Sequence, residues 1–318
     1  MATRRQFLKR CSTLGATAVA AHVTRLGLMT ANAQTATDYK ALVCIFMNGG
    51  NDSNNMIVPT NDFTGYTNVR GPLALSQGSL LPVTAGGKAY GLHPRLVNIQ
   101  GLYNQKKAAM VFNVGTLVRP TTKTQYQNGG VPLPRNLYSH SDQTSQWQTA
   151  NPTVAGGTGW GGRITDIVAA NTPFPAGVSV SGNSTLLTGA LTGGVTIAPN
   201  SNFGLTGFGS QAATDARLLA LQQILTFDSG VQMIAASEGV LGNALKASRD
   251  IAQLLNSSPP LATVFPNTNL AQQLSQVAKI IKIRSALGMN RQIFFASMGG
   301  FDNHSNLIAD QEIGRAHV

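Results

Sequence analysis

The sequence predicts an α/β fold, a mostly parallel sheet flanked by helices, and three observations predict it. Near-continuous apolar runs at 40–47, 108–114 and 292–298 have the length and residue types of strands buried on both faces. Two of these runs stop at paired glycines, Gly49-Gly50 and Gly299-Gly300. Between them lie segments with apolar residues at helical spacing, so strands and helices alternate along the chain.

The chain opens on a leader, residues 1–33. Arg4-Arg5 followed by Gln6, Phe7, Leu8 and Lys9 is the pattern of the twin-arginine export route. A moderately apolar stretch from 14 to 29 follows, and Ala31-Asn32-Ala33 supplies a small-x-small cleavage site. His22 and Arg25 interrupt that stretch, which is too short and too polar for a permanent span. The expected route is therefore through the twin-arginine translocase to the periplasm or the exterior of a bacterial cell, with no stable membrane span. Removal of Arg4, Arg5, Lys9, Arg10 and Arg25 lowers the formal charge from +11 to +6. The basic residues that remain are scattered and lack interleaved aromatics, which argues against nucleic-acid binding. Cys11 leaves with the leader, so Cys44 has no intramolecular disulfide partner and is expected to pack as a small buried hydrophobe.

After the first strand, the Gly-, Ser- and Pro-punctuated stretch 65–87 reads as loop. His93-Pro94 opens a helical pattern with Leu96, Ile99, Leu102 and Tyr103 on one face. The run 108–114 then reads as a second strand, completing a right-handed parallel crossover. Residues 116–160 read as a long polar loop, 163–170 as a helix, 177–180 as a short strand, and 182–209 as loops with one hairpin. Helices are expected over 212–226, 231–255 and 270–287, the last with Leu270, Leu274, Val277 and Ile281 facing a core. Residues 34–311 make one domain on this reading. The final seven residues, E-I-G-R-A-H-V (312–318), resemble the translation of a sequencing adapter and are expected to be non-native.

Ligands of open α/β sheets bind beyond the carboxyl ends of the strands, and two strands here end alike. The first continues into Gly49-Gly50-Asn51-Asp52 and the last into Gly299-Gly300-Phe301-Asp302-Asn303-His304. Carboxylate and imidazole groups placed there suit zinc or another divalent cation; the alternative is that Asp52 and Asp302 cap turns or helix starts. Tyr138-Ser139-His140-Ser141-Asp142 offers hydroxyl, imidazole and carboxylate in one run. Adjacent residues point apart, so this run cannot form a local relay, although its hydroxyl or imidazole could meet Asp52 and Asp302 in space. His93-Pro94 reads as a site residue or as a helix start, the latter favoured, and Gly159-Trp160-Gly161-Gly162-Arg163 matches neither the dinucleotide nor the Walker pattern.

At these residues the chain resembles an exported family, domain of unknown function 1501. The matching pieces are the arginine leader, G-G-N-D-S-N-N-M-I-V-P (49–59), L-H-P (92–94), S-H-S-D-Q-T-S-Q-W-Q (139–148), G-W-G-G-R (159–163) and G-G-F-D-N-H (299–304). The resemblance implies an alkaline-phosphatase-like fold, similar to the phosphatase and sulfatase superfamily, incomplete at the C-terminus. It implies a metal-dependent hydrolase of phosphate or sulfate esters holding zinc, manganese, calcium or magnesium. Asp52, Asp302 and His304 become metal ligands, and Ser139 or His140 a catalytic nucleophile or further ligand. Asn303 stands where the family usually has Thr, and the family continues into an Asp-His-Gly segment that this sequence does not reach. The chain as it stands is thus expected to be inactive. The rival expectation is a non-catalytic periplasmic or envelope binding protein on the same scaffold.

Overall fold

The computed structural model describes residues 38–112, 114–169, 172, 174–199, 212–225, 238, 241, 242, 245, 248 and 251–315. The arginine leader and most of the helix expected over 231–255 lie outside these residues, although 251–257 are helical. The strands are β1 (Lys40–Met47), β2 (Ile57–Val58), β3 (Leu81–Ala85), β4 (Lys88–Leu92), β5 (Gly177–Ser179), β6 (Val195–Thr196) and β7 (Arg291–Met298). The helices are α1 (Ser53–Met56), α2 (Phe63–Arg70), α3 (Val97–Asn104), α4 (Lys123–Asn128), α5 (His140–Thr149), α6 (Trp160–Val168), α7 (Ala212–Leu225), α8 (Asn269–Lys282) and α9 (Leu307–Arg315).

A four-stranded sheet of order β1-β7-β5-β6, parallel throughout, forms the centre. Its inner strand β7 carries five consecutive buried residues, and its alternate side chains face two different layers. Phe294 and Ala296 join Val178 and Val180 against Leu270, Val277 and Ile280 of α8. Ile293 and Phe295 face the other way, onto Leu186, Leu187, Trp147 of α5 and Trp160 of α6. This gives helix, sheet and helix layers, the α/β class expected from the apolar runs. Full burial of one side chain such as Phe294 contributes about 2–3 kcal/mol.

Helix α8 forms for reasons legible in its residues. The Thr268 hydroxyl accepts from the Ala271 N–H as N-cap, Lys279 and Lys282 lie in the last turn, and the apolar stripe meets the sheet. No helix among the described residues is long and apolar enough to cross a membrane.

Four expectations are corrected. The run 108–114 is not a strand: residues 107–112 and 114 have no regular structure, and Val111, Phe112 and Val114 are exposed. Its side chains are used elsewhere, with Met110 packing on the Val83 and Leu92 cluster and the Phe112 ring 5.6 Å from that of Tyr90. β1 is therefore an edge strand, with Val43 and Ile45 on an open face.

The stretch 65–87 is not merely loop. It contains most of α2 and all of β3, and β3 pairs with β4, which pairs in turn with β2, in a small antiparallel sheet. The hairpin turns at Gly86-Gly87, whose φ values of 55° and 74° suit a two-residue turn that a side chain would strain. Residues 116–160 hold two helices, α4 and α5, plus the start of α6. Nor does 182–209 contain the expected hairpin among its described residues, because β6 pairs parallel to β5.

Candidate metal centre

The site lies where β1 and β7 end. Asn48 donates its N–H to the Met298 carbonyl at 2.8 Å, which carries the parallel pairing one step past both strands. The two glycine loops then meet. A Cβ at Gly49 would sit 2.6 Å from the Asp302 nitrogen, and φ there is 113°, so only glycine lets the loops approach this closely.

Helix α5 brings in the third component. Ser139 is its N-cap, accepting from the Asp142 N–H at 3.3 Å and donating its hydroxyl to Asp142 Oδ2 at 2.6 Å. Trp147 docks the helix, with its ring 5.1 Å from Phe46 of β1 and 5.8 Å from Trp160. His140 lies seven residues earlier, on the same helical face as Trp147. That places the imidazole over the glycine loops: its Cε1 is 3.8 Å from where a Gly50 Cβ would be.

The outcome is a convergence of His140, Asp302 and His304, whose ligand atoms all lie within 4.8 Å of one another. His304 Nε2 is 2.8 Å from Asp302 Oδ1, and His140 Nε2 is 3.4 Å from the same oxygen. Donors about 2.1 Å from a tetrahedral zinc stand roughly 3.4 Å apart, so this set fits a cation with small side-chain adjustments. All three side chains are more than half exposed.

Asp52 does not join this group. Its side chain is only 8% exposed, its Oδ2 pairs with Arg70 Nη2, and its Oδ1 accepts from the Asn54 N–H at 3.2 Å as N-cap of α1. Of the residues singled out as ligands, Asp302 and His304 are thus brought together, and His140 occupies the place expected of Asp52. Ser139 is committed to its cap. The Ser139 and Asn136 side chains hold the Asp142 carboxyl below its ordinary range, against slight desolvation and with help from the Arg135 charge.

The remaining motif residues have structural partners. His93 is buried, its backbone N–H donates to the Met56 carbonyl at 2.9 Å, and its Nδ1 accepts from the Arg95 N–H at 3.2 Å. In the 159–163 motif, a Cβ at Gly162 would lie 2.1 Å from the Thr188 carbonyl carbon, so this glycine serves close helix–loop packing. Arg163 donates to the Thr158 carbonyl at 2.6 Å and the Thr149 carbonyl at 2.9 Å.

No family model, curated protein or solved structure matches this chain.

One feature beside the centre has no counterpart among the expected site residues. Tyr138 is 74% exposed and holds φ at 76°, a left-handed conformation that costs a bulky residue about 1–3 kcal/mol. Its hydroxyl meets that of Tyr126 at 2.8 Å, and this bond, first among the causes, raises the Tyr138 phenol above its ordinary pKa. The sequence signal for both helices nearby was the capping pattern: Thr122-x-x-Gln125 forms a reciprocal capping box, and Ser139-x-x-Asp142 caps α5.

Proposed function

We propose that this chain is an exported metal-dependent hydrolase of phosphate or sulfate esters, built on an alkaline-phosphatase-like scaffold. The observation that carries the reading is the convergence of His140, Asp302 and His304 at the carboxyl ends of a parallel sheet. Two imidazoles and one carboxylate are a borderline donor set suited to zinc or manganese, and three protein ligands leave a coordination position for water or substrate. A second support is electrostatic. No acidic residue occurs between Asp62 and Asp142, whereas that stretch holds eight basic ones, among them Arg119, Lys123 and Arg135. Such an excess favours an anionic substrate.

A cation bound there supplies Lewis-acid stabilisation of the ester's developing negative charge and a more acidic water. The side chains of the protein do the holding. Asp302 sits between the two imidazoles, its Oδ1 2.8 Å from His304 Nε2 and 3.4 Å from His140 Nε2, and the paired glycines let the loops close around that carboxylate. In the hydrolysis, water oxygen bonds to phosphorus or sulfur, the ester oxygen leaves, and a proton from water ends on that leaving oxygen.

The openness of the centre favours the rival reading, a non-catalytic envelope binding protein, because hydrolases generally shield the reacting ester from water. Metal content of the purified chain, with Asp302→Ala alongside, is the test. Stoichiometric zinc or manganese that disappears in the variant supports the metal centre, and a folded protein without metal sinks it. Metal without binding of phenyl phosphate or phenyl sulfate shifts the conclusion to the binding protein.

A further inference from the structure

We infer that Tyr138, braced by Tyr126, is a specificity-determining residue that stacks an aromatic leaving group, so the esters taken by this centre are aryl esters. The inference rests on the proposed ester-binding centre and names its substrate class.

Its starting point is placement. Tyr138 is two residues from His140, so their Cα atoms are at most about 7 Å apart. An aryl ring on Tyr138 would thus leave its ester head within a side chain's reach of the cluster.

Rigidity is the second point. The turn that carries Tyr138 is tied at several places. Arg135 donates its N–H to the Pro152 carbonyl at 2.9 Å, Gln146 Nε2 donates to the Arg135 carbonyl at 2.5 Å, and the Ser139 N–H donates to the Asn136 carbonyl at 3.0 Å. Tyr126 sits on α4, whose first turn is closed by the Thr122 and Gln125 capping box. The hydroxyl contact between the tyrosines therefore joins two anchored pieces, and the Tyr138 ring is held out in solvent instead of folding down. Strained backbone that presents an exposed aromatic beside a candidate centre is the pattern of a binding surface.

Charge is the third. Arg119, Lys123 and Arg135 are the charged residues nearest in sequence to the two tyrosines before Asp142, and all three are basic. A flat ring with an anionic head matches an aromatic residue carried on a segment that is basic and free of acids. A neutral sugar would use the ring but not the charge.

The test is binding of phenylphosphonate and methylphosphonate to the zinc-loaded full chain by calorimetry. Both probes carry the anionic head on a carbon–phosphorus bond that ester hydrolysis does not cleave. The expected result is about tenfold tighter binding of the phenyl probe. Tyr138→Phe keeps that preference. Tyr138→Gly, which adopts φ 76° freely, abolishes it while methylphosphonate binding stays within about twofold. Equal affinities in the native chain, or a preference that survives in Tyr138→Gly, overturn the aryl assignment and leave the metal centre standing. Failure of both probes to bind, or absence of zinc, overturns the assignment together with the centre on which it rests.

Discussion

His140 and Trp147 share one face of α5, two helical turns apart, so the ring that docks the helix on Phe46 also sets where the imidazole lies. Trp147→Ala should lower stability by about 3 kcal/mol in urea unfolding. It should also weaken zinc binding, because His140 loses its fixed approach to Asp302. Trp147→Phe should retain most of both. Unchanged zinc affinity in the alanine variant would show that α5 is positioned by other contacts.

Gly49 is the second lever on the site. In Gly49→Ala a Cβ meets the Asp302 nitrogen at 2.6 Å, and φ of 113° is strained for alanine. We expect a loss of about 2 kcal/mol and a displaced Asp302, read as reduced metal content at equal protein. A variant with native stability and metal content would mean the two loops separate without cost.

Metal and stability should be linked. Zinc at a hundred times its dissociation constant adds about 2.7 kcal/mol to the native state and raises the melting temperature accordingly. Asp302→Ala and His304→Ala should remove that increment while leaving the metal-free melting temperature close to native, since both side chains are exposed. A zinc-induced rise that survives in both variants would place the bound ion elsewhere.

Asp166 carries a pH dependence. Desolvation alone would push its carboxyl up, but donors from the Ala190, Leu191 and Thr192 backbone and the Thr192 hydroxyl outweigh it and hold the carboxyl below 3.8. A lowered folded value means its contribution is complete above the unfolded value of about 3.9 and is lost as pH falls through the folded one. Asp166→Ala should cost about 1–3 kcal/mol at pH 7, and the difference from the native chain should shrink in acid. A difference that is constant from pH 7 to pH 2 would rule out this source.

Cys44 should react slowly. Burial pushes its thiol up to about 11, so the nucleophilic thiolate is scarce at neutral pH. Alkylation at pH 7.5 should be at least about a hundredfold slower than for an exposed cysteine, and denaturant should abolish the difference. Equal rates in the folded and unfolded chain would contradict the burial.

The parts of the fold that were legible share one cause. β1 and β7 are continuous apolar runs ending in glycine pairs, and α8 has a cap, an apolar stripe and terminal lysines. The hairpin of β3 and β4 is hidden in the sequence because Gly86-Gly87 looks like loop punctuation as much as a two-residue turn between alternating segments. α5 was missed because its apolar content is low and its signal lay in the Ser139 cap. The run 108–114 misled for the opposite reason: apolarity reports a tendency to be buried, not a strand to pair with, and Met110 finds cover on the small sheet while Phe112 only touches the Tyr90 ring.

Local chemistry thus settled the α/β class, the strand ends and the identity of Asp302 and His304 as residues to watch, because short-range patterns write themselves into adjacent positions. Which third residue meets them was a long-range matter. Asp52 is nearer the expected pattern, yet the Arg70 guanidinium and the α1 N-cap occupy both its oxygens. His140 reaches Asp302 across more than 150 positions because Trp147 packs α5 on the sheet, a contact between side chains that no spacing along the chain encodes.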